Sequence, residues 1–573
     1  MNCDLLVIGS GAGGLATAVT AASLGLEVVL AEKESQFGGT TAWSGGWMWV
    51  PRNPLARAAG INEDIEAPLR YLRHELGEQF DPAIVMRFLQ EGPRMVEFFQ
   101  ERTALRFIDG NAIPDFHAES PGGAMGGRSV CAAPFDGRRL GARLKDLRPP
   151  LNLIAPFGMG IASGEDLRRF MTMTRSLASF RHVTRRFLRH AWERLRHGRG
   201  LHLVNGNALV AALLKSADDL GITLLHSSPV TRLLHHDGQV TGAVLRRDGK
   251  DVTIKTARGV VLATGGFPHD PARIAALFGR EHFSAAPRAN QGDGLRLGEE
   301  AGGTLRQDLP NPGAWAPVSL VPSGNGQPGH FPHLIERAKP GLIAVRRDGK
   351  RFTNEANSYH DMMQALLEAT PPGEAAEAWL IADHHFIRRY GLGHARPSPV
   401  PLGPALRSGY LKRADTQADL ARACGIAPEG LAATLAAYNP PAHEGRDPAF
   451  HRGETAYNRV QGDREHLPNP CVAPIEAPPF YAVRIVAGSL GTFAGLATDE
   501  DTRVLDAHRR PIPGLYAVGN DMNSMMGGHY PSGGITLGPA MTFGYVAAHH
   551  AAGIPLDNNH ASGEAAKDAQ HAL

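Results

Sequence analysis

Cysteine is scarce. Cys3, Cys131, Cys424 and Cys471 are the only four in 573 residues, and no two form a CxxC pair. Such spacing argues against a disulfide framework, a zinc site or an attached c-type haem. Charge of either sign is not in excess: 59 Lys and Arg face 57 Asp and Glu, a net +2. A nucleic-acid-binding surface needs a pronounced basic surplus, so that class is set aside. No apolar run approaches the roughly 18 residues needed to span a bilayer. The chain runs into an apolar strand at Asp4, leaving no room for a secretory leader, and a cytoplasmic location is expected. What remains is an ordinary globular composition, 43% apolar, long enough for two to four domains.

What is present is glycine at the ends of apolar strands. In DLLVIGSGAGGLATAVTAASLGLEVVLAEKE, Asp4 to Glu34, a strand leads into Gly9, Gly11 and Gly14, then a small-residue helix, then a second strand ending at Glu32. This is GxGxxG in the context that gives it meaning, with an acid about 20 residues on. Gly9 permits the tight turn, Gly11 and Ala12 bring the backbone to a pyrophosphate, and Gly14 lets helix and strand approach. The phosphates then meet free N–H groups at a helix start. Glu32, followed by Lys33, is placed to accept from ribose hydroxyls.

The choice between NAD and FAD rests on three further stretches. Gly38–Gly46 (GGTTAWSGG) follows Glu32 directly, where an NAD enzyme would continue alternating strands and helices. Strand ends also lie at Gly259–Phe267 (GVVLATGGF) and Gly514–Asn520 (GLYAVGN). Widely separated glycine-rich strand ends suit one elongated ligand touched along its length, and non-covalent FAD has that shape.

These motifs, with GPAMTFGYVAA, resemble the FAD-dependent fumarate reductase and 3-ketosteroid dehydrogenase superfamily, and most closely its Δ1-dehydrogenase branch. The resemblance runs from Cys3 to about Gly553. It implies an α/β fold with a doubly wound, Rossmann-like FAD domain and an inserted α+β catalytic domain. The FAD domain would comprise 1–278, with a helical insertion at about 140–200, and 473–553. The catalytic domain would be 279–472, and 554–573 a disordered tail. Cofactor contacts are expected from Gly39, Thr40, Thr41, Ser44, Gly45 and Gly46, from Ala263, Thr264 and Gly265, and from Gly519, Asn520, Thr536 and Leu537.

The same resemblance assigns chemistry. Tyr530 and the Gly534 N–H would hold a substrate ketone, an oxyanion hole that acidifies the adjacent C–H. Tyr359, after the Asn354-Glu355 pair, would take the proton. A second family tyrosine follows a Pro-Asp pair; here Pro114-Asp115 is followed by Phe116, which lines the substrate site without a hydroxyl. Its role is left vacant or passes to another group such as His117 or His360. The implied activity is dehydrogenation beside a ketone in a bulky apolar substrate, a 3-ketosteroid. The alternatives are an enone reductase of the fumarate-reductase type and a non-catalytic electron carrier or scaffold. Nothing between Met522 and Thr542 is Arg or Lys, which disfavours a dicarboxylate. No second GxGxxG serves NAD(P)H, so a quinone or a protein is the expected electron acceptor.

Two local patterns complete the reading. Leu342–Met362 predicts a hairpin turning at Asp348-Gly349 and presenting Asn354–Tyr359 as a loop. Arg175–Gly200 predicts an amphipathic helix with Leu177, Phe180, Thr184, Phe187, Leu188, Ala191, Trp192 and Leu195 on one stripe. Its other face carries Arg181, Arg185, Arg189 and Arg196. It either covers the core or an oligomer contact, or touches an anionic membrane.

Overall fold

The computed structural model describes residues 1–323 and 326–556; the expected tail, 554–573, falls outside the described residues from 557 on. Strand β1 (Asn2–Ile8) is followed by helix α1 (Ala12–Ser23) and β2 (Val28–Ala31). The last four residues of β1 and all of β2 are buried, as continuous apolar strands of a covered parallel sheet must be. β3 (Thr223–Leu225) extends the far edge. β4 (Val230–His236), β5 (Gln239–Arg247) and β6 (Lys250–Leu262) form an antiparallel excursion. The last residues of β6 re-enter the sheet between β1 and the returning β8 (Pro511–Ala517), with β7 (Arg503–Leu505) outermost. The order is β7-β8-β6-β1-β2-β3.

This order brings the glycine motifs together. Ile8 is in register with Leu262, and Leu262 with Ala517. The turns at Gly9, Ala263–Gly265 and Gly519 therefore open side by side at the carboxyl end of the parallel strands, where ligands of doubly wound sheets sit.

Helix α2 (Pro82–Arg102) packs on the helix Leu537–Ala552, and α3 (Leu177–His197) lies away from the sheet. The middle of the chain builds an antiparallel sheet from Val318–Val321, Gly329–Pro332, Leu342–Val345, Glu377–Ala382, Lys412–Ala414 and Phe480–Val486. Helix α4 (Tyr359–Ala369) belongs to this domain. Helix α5 (Leu537–Ala552) returns to pack on α1, with a Cβ at Gly544 falling 2.7 Å from the Gly13 carbonyl.

Two expectations change. Phe480–Val486 pairs with Glu377–Ala382 in the centre of the antiparallel sheet, so the return to the dinucleotide sheet comes after 486 rather than at 473. Leu342–Val345 also pairs with Glu377–Ala382, and only Val345 bridges to Arg351. The expected hairpin is a single bridge because its partner strand lies elsewhere in the sequence.

Candidate active site

The cradle at the strand ends is made by glycines with no room to be anything else. Gly9 has φ +108°, and a Cβ there would lie 2.1 Å from the Ala263 carbonyl oxygen. A Cβ at Gly14 would lie 2.1 Å from the Gly9 oxygen. At Gly11 the nearest protein atom is Thr41 Oγ1 at 3.5 Å, so that position faces open space. Gly11 caps α1 without a side-chain hydrogen bond, and Ala12 N–H donates to Thr41 Oγ1 at 2.9 Å. Glu32 is buried. Its carboxylate accepts from Ser10 Oγ (2.6 Å), Ser10 N–H (3.2 Å) and Glu34 N–H (2.9 Å), and burial raises its pKa. Lys33 turns aside to pair with Asp293.

The next stretch folds over the same edge. Thr40 Oγ1 accepts from Asn290 at 3.1 Å, and Ser44 Oγ donates to the Thr41 carbonyl at 2.8 Å. Gly46 is pressed against Asn205, 2.5 Å from its carbonyl carbon if given a Cβ. Gly39 has no neighbour in that position, and Gly45 only Trp47 at 3.8 Å.

Asp521 was not singled out in the sequence. It is fully buried and accepts from Thr264 N–H (2.5 Å), Thr264 Oγ1 (3.0 Å) and Gly266 N–H (2.9 Å). It thereby ties the Ala263–Gly265 turn to Gly519 and Asn520. Burial lifts its pKa to about 6. The signal was an acid one residue past a glycine-rich strand end.

Beyond it, α5 begins after Thr536 with no side-chain cap, leaving free N–H groups and the positive end of the dipole exposed to a ligand. A small cavity of about 20 Å³ lies there, bounded by Thr492, Phe493, Asn520, Thr536 and Pro539 among others. The glycines of Gly527–Pro539 serve a second purpose. A Cβ at Gly534 would sit 2.7 Å from the Trp47 oxygen, and one at Gly538 2.2 Å from the Trp49 oxygen. They let this segment run against Trp47–Trp49, and Trp49 N–H donates to the Gly534 oxygen at 3.1 Å.

Three predicted side chains meet beside that helix start. The Tyr530 ring stacks on Phe116 with centroids 5.6 Å apart, and Tyr359 stands edge-on to both, at 5.1 Å and 5.5 Å. The loop is pinned at the Pro531 oxygen, which accepts from Phe116 N–H (3.0 Å) and Tyr71 hydroxyl (2.6 Å). Gly534 N–H has no acceptor among the described residues. Burial raises the Tyr530 pKa to about 12 and that of Tyr359 further, with Tyr530 adding to the rise. Tyr530 is thus a protonated donor at neutral pH.

Neither histidine near Phe116 takes the vacant role. His117 is bridged by Glu75 (2.5 Å) and Asp361 (3.1 Å). Burial lowers its pKa, but those two hydrogen bonds outweigh it and carry the value up to about 10. His360 Nδ1 accepts from Trp315 N–H at 3.2 Å, and burial lowers its pKa to about 4. Its ring lies 5.5 Å from Tyr530.

The α3 stripe is also corrected. Ser179, Val183, His190 and Glu193 are the buried residues, while Leu177, Leu188, Trp192 and Leu195 are 75, 68, 61 and 84% exposed. The apolar stripe faces away from the core.

The family model described as FAD binding domain matches residues 4–537. The chain belongs to this FAD-binding family. A 4-oxocyclohex-2-ene-1-carboxylate 5-dehydrogenase of Sinomonas cyclohexanicum is 40% identical over 96% of this chain and 94% of its own length. A 3-oxosteroid 1-dehydrogenase of Mycobacterium tuberculosis is 35% identical over 96% and 98%. Among solved structures, a 3-ketosteroid Δ1-dehydrogenase of Sterolibacterium denitrificans in complex with 1,4-androstadiene-3,17-dione superposes with a TM-score of 0.89. It is 33% identical and covers 96% of this chain and 99% of that one. The expected superfamily, fold and cofactor stand: this member of the FAD-binding family is an FAD-dependent oxidoreductase. The cradle suits FAD on its own terms, since Gly9 and Gly14 exclude any side chain and the two uncapped helix starts face one groove.

Proposed function

We propose that the chain dehydrogenates the carbon–carbon bond next to a ring ketone, with a 3-ketosteroid as substrate. The observation that carries this is the aromatic box of Phe116, Tyr359, Tyr530 and Phe493, which offers two phenols and no cation. FAD, when bound, supplies the acceptor for the two electrons that leave as hydride. The Tyr530 hydroxyl and Gly534 N–H donate to the ketone oxygen, and Tyr359 takes the proton from the α-carbon either as its phenolate or while passing its own hydroxyl proton on through a hydrogen bond. Thr536 and Leu537, at the start of α5, would hold the flavin, and the helix N–H groups there would favour its reduced, negatively charged form. The electrons pass on to a quinone or a protein.

A second reading, a small oxocyclohexane carboxylate, is favoured by the names of two relatives. Anaerobic mixing separates the two. Flavin bleaching by 4-androstene-3,17-dione is expected; bleaching by 4-oxocyclohex-2-ene-1-carboxylate alone selects the second reading. If neither bleaches and an enone reoxidises dithionite-reduced flavin, the chain is a reductase.

No helix among the described residues is long and apolar enough to cross a membrane. The outward stripe of α3 is nonetheless suited to lie on an anionic one. Its large apolar side chains are flanked by exposed Arg181, Arg185 and Arg196, none paired with a carboxylate among the described residues. Apolar area inserted at the interface and basic residues at its rim act together. Co-sedimentation with phosphatidylglycerol vesicles is expected, with little on phosphatidylcholine. Leu188→Glu with Trp192→Glu should abolish it and leave flavin content intact. Retention by the doubly substituted protein overturns this proposal; a wild-type dimer that the same changes dissociate, without vesicle binding, assigns the stripe to a second copy.

A further inference from the structure

Phe116, Tyr359 and Tyr530 come from three stretches far apart in sequence, and one helix reaches two of them directly. Glu66–Leu76 buries Tyr71, Leu72 and Leu76 and carries Glu75 one turn beyond Tyr71. The Tyr71 hydroxyl donates to the Pro531 oxygen at 2.6 Å, and the same oxygen receives the Phe116 N–H at 3.0 Å. Tyr530 and Phe116 are thus held side by side through their immediate neighbours. Glu75 Oε2 lies 2.5 Å from Nδ1 of His117, the residue after Phe116.

Tyr359 reaches the site from another direction. It opens α4, on the part of the chain that carries the antiparallel sheet. Between α4 and the helix Glu66–Leu76 stands His117, whose Nε2 lies 3.1 Å from Asp361 Oδ2. Asp361 is in the first turn of α4. Ser358 caps that turn, its Oγ accepting from Asp361 N–H at 3.1 Å and its carbonyl from Met362 N–H at 3.0 Å.

The protonation of His117 follows from its partners. An ionised carboxylate only accepts hydrogen bonds. With one carboxylate against each ring nitrogen, both nitrogens donate and the ring is an imidazolium. Its removal would leave Glu75 and Asp361 as like charges with no cation between them, an arrangement that favours separation.

We propose that His117 is the positioning residue for Tyr359, a cationic link that fixes the first turn of α4 against the helix Glu66–Leu76. The Tyr359 ring then stands edge-on to Phe116 and Tyr530, with centroids 5.5 and 5.1 Å away. This rests on the dehydrogenase reading above. Phe116 and Tyr530 do not depend on the link, because Tyr71 and the Pro531 oxygen already hold them. Its loss therefore falls on proton removal by Tyr359 and spares the grip of Tyr530 and Gly534 on the ketone. The His117 side chain is 38% exposed, so the space it fills can be entered from solution.

The FAD-loaded His117→Gly variant is expected to reduce its flavin about 10²-fold more slowly at saturating ring ketone, the effect that a small misplacement of a reacting group produces. The half-saturating ketone concentration should change little. Imidazole added as its cation should recover most of the lost rate and leave the wild type unaffected. Asp361→Ala should show the same split between rate and affinity. Combined with His117→Gly it should be no slower than the slower single variant, as one shared link requires. Hydrogen exchange at the Tyr359–Met363 amides needs no substrate; it should quicken in His117→Gly and slow again with imidazole.

An unchanged rate with unchanged exchange overturns the proposal. So does a loss confined to ketone affinity, or a double variant slowed by the product of the two single effects. Failure of both imidazole and His117→Arg, which returns charge and donors together, to restore the rate also overturns it. If His117→Gly does not retain FAD, Asp361→Ala decides by the same rate and exchange measurements. Failure of the wild type to react with any ring ketone removes the dehydrogenase reading instead, and the exchange result then decides the link by itself.

Discussion

Tyr530→Phe is expected to slow reduction of the bound flavin by the ring ketone 10²- to 10³-fold, about 2.7–4 kcal/mol, the usual effect of removing one oxyanion donor. The substitution removes a single oxygen. The ring keeps its stack on Phe116 and its contacts with Tyr359, His360 and Phe493, so the site stays assembled. A hydroxyl whose pKa is raised to about 12 does not ionise under working conditions. It polarises the ketone by donating, and only the Gly534 N–H is left to do so in the variant. Stopped-flow absorbance of the flavin measures the step directly. An unchanged rate at saturating substrate, with flavin content preserved, removes Tyr530 from the oxyanion hole.

The other large effect belongs to the first turn. Gly14→Val is expected to yield protein without flavin and with lowered stability, because its Cβ would lie 2.1 Å from the Gly9 oxygen. Either α1 shifts from β1 or the Gly9 turn opens, and overpacking of this kind costs about 1–3 kcal/mol before any ligand is counted. Gly11→Val is the informative contrast. Its nearest protein atom is 3.5 Å away, so the flavin-free fold should melt close to wild type while FAD affinity collapses. Thermal melts with flavin stripped and restored separate the two. A Gly14→Val protein that purifies yellow with a normal melt would refute the account of the turn.

The glycine turns were legible because each is a local pattern, a strand followed by residues that bring no Cβ, and parallel pairing alone then sets Gly9, Gly265 and Gly519 side by side. The trio around Phe116 was legible through resemblance. Asp521 was missed by one position, its role being to receive N–H groups from a turn more than two hundred residues earlier. The periodicity of α3 correctly gave a stripe and a basic flank. Periodicity does not say which side meets the rest of the protein, and there the physical default, apolar inward, was the wrong guide.

Two chain segments join the antiparallel sheet to the dinucleotide sheet. Phe283–Ser284, on the way out, lies parallel to Gly488–Ser489, on the way back, and Gly313–Trp315 flanks them on the other side. The connection is a short hydrogen-bonded ribbon rather than two loose tethers. Separating the two bodies there would break this ladder. The His117 bridge from Glu75 to Asp361 is a second tie between them, close to where Tyr359 meets Tyr530.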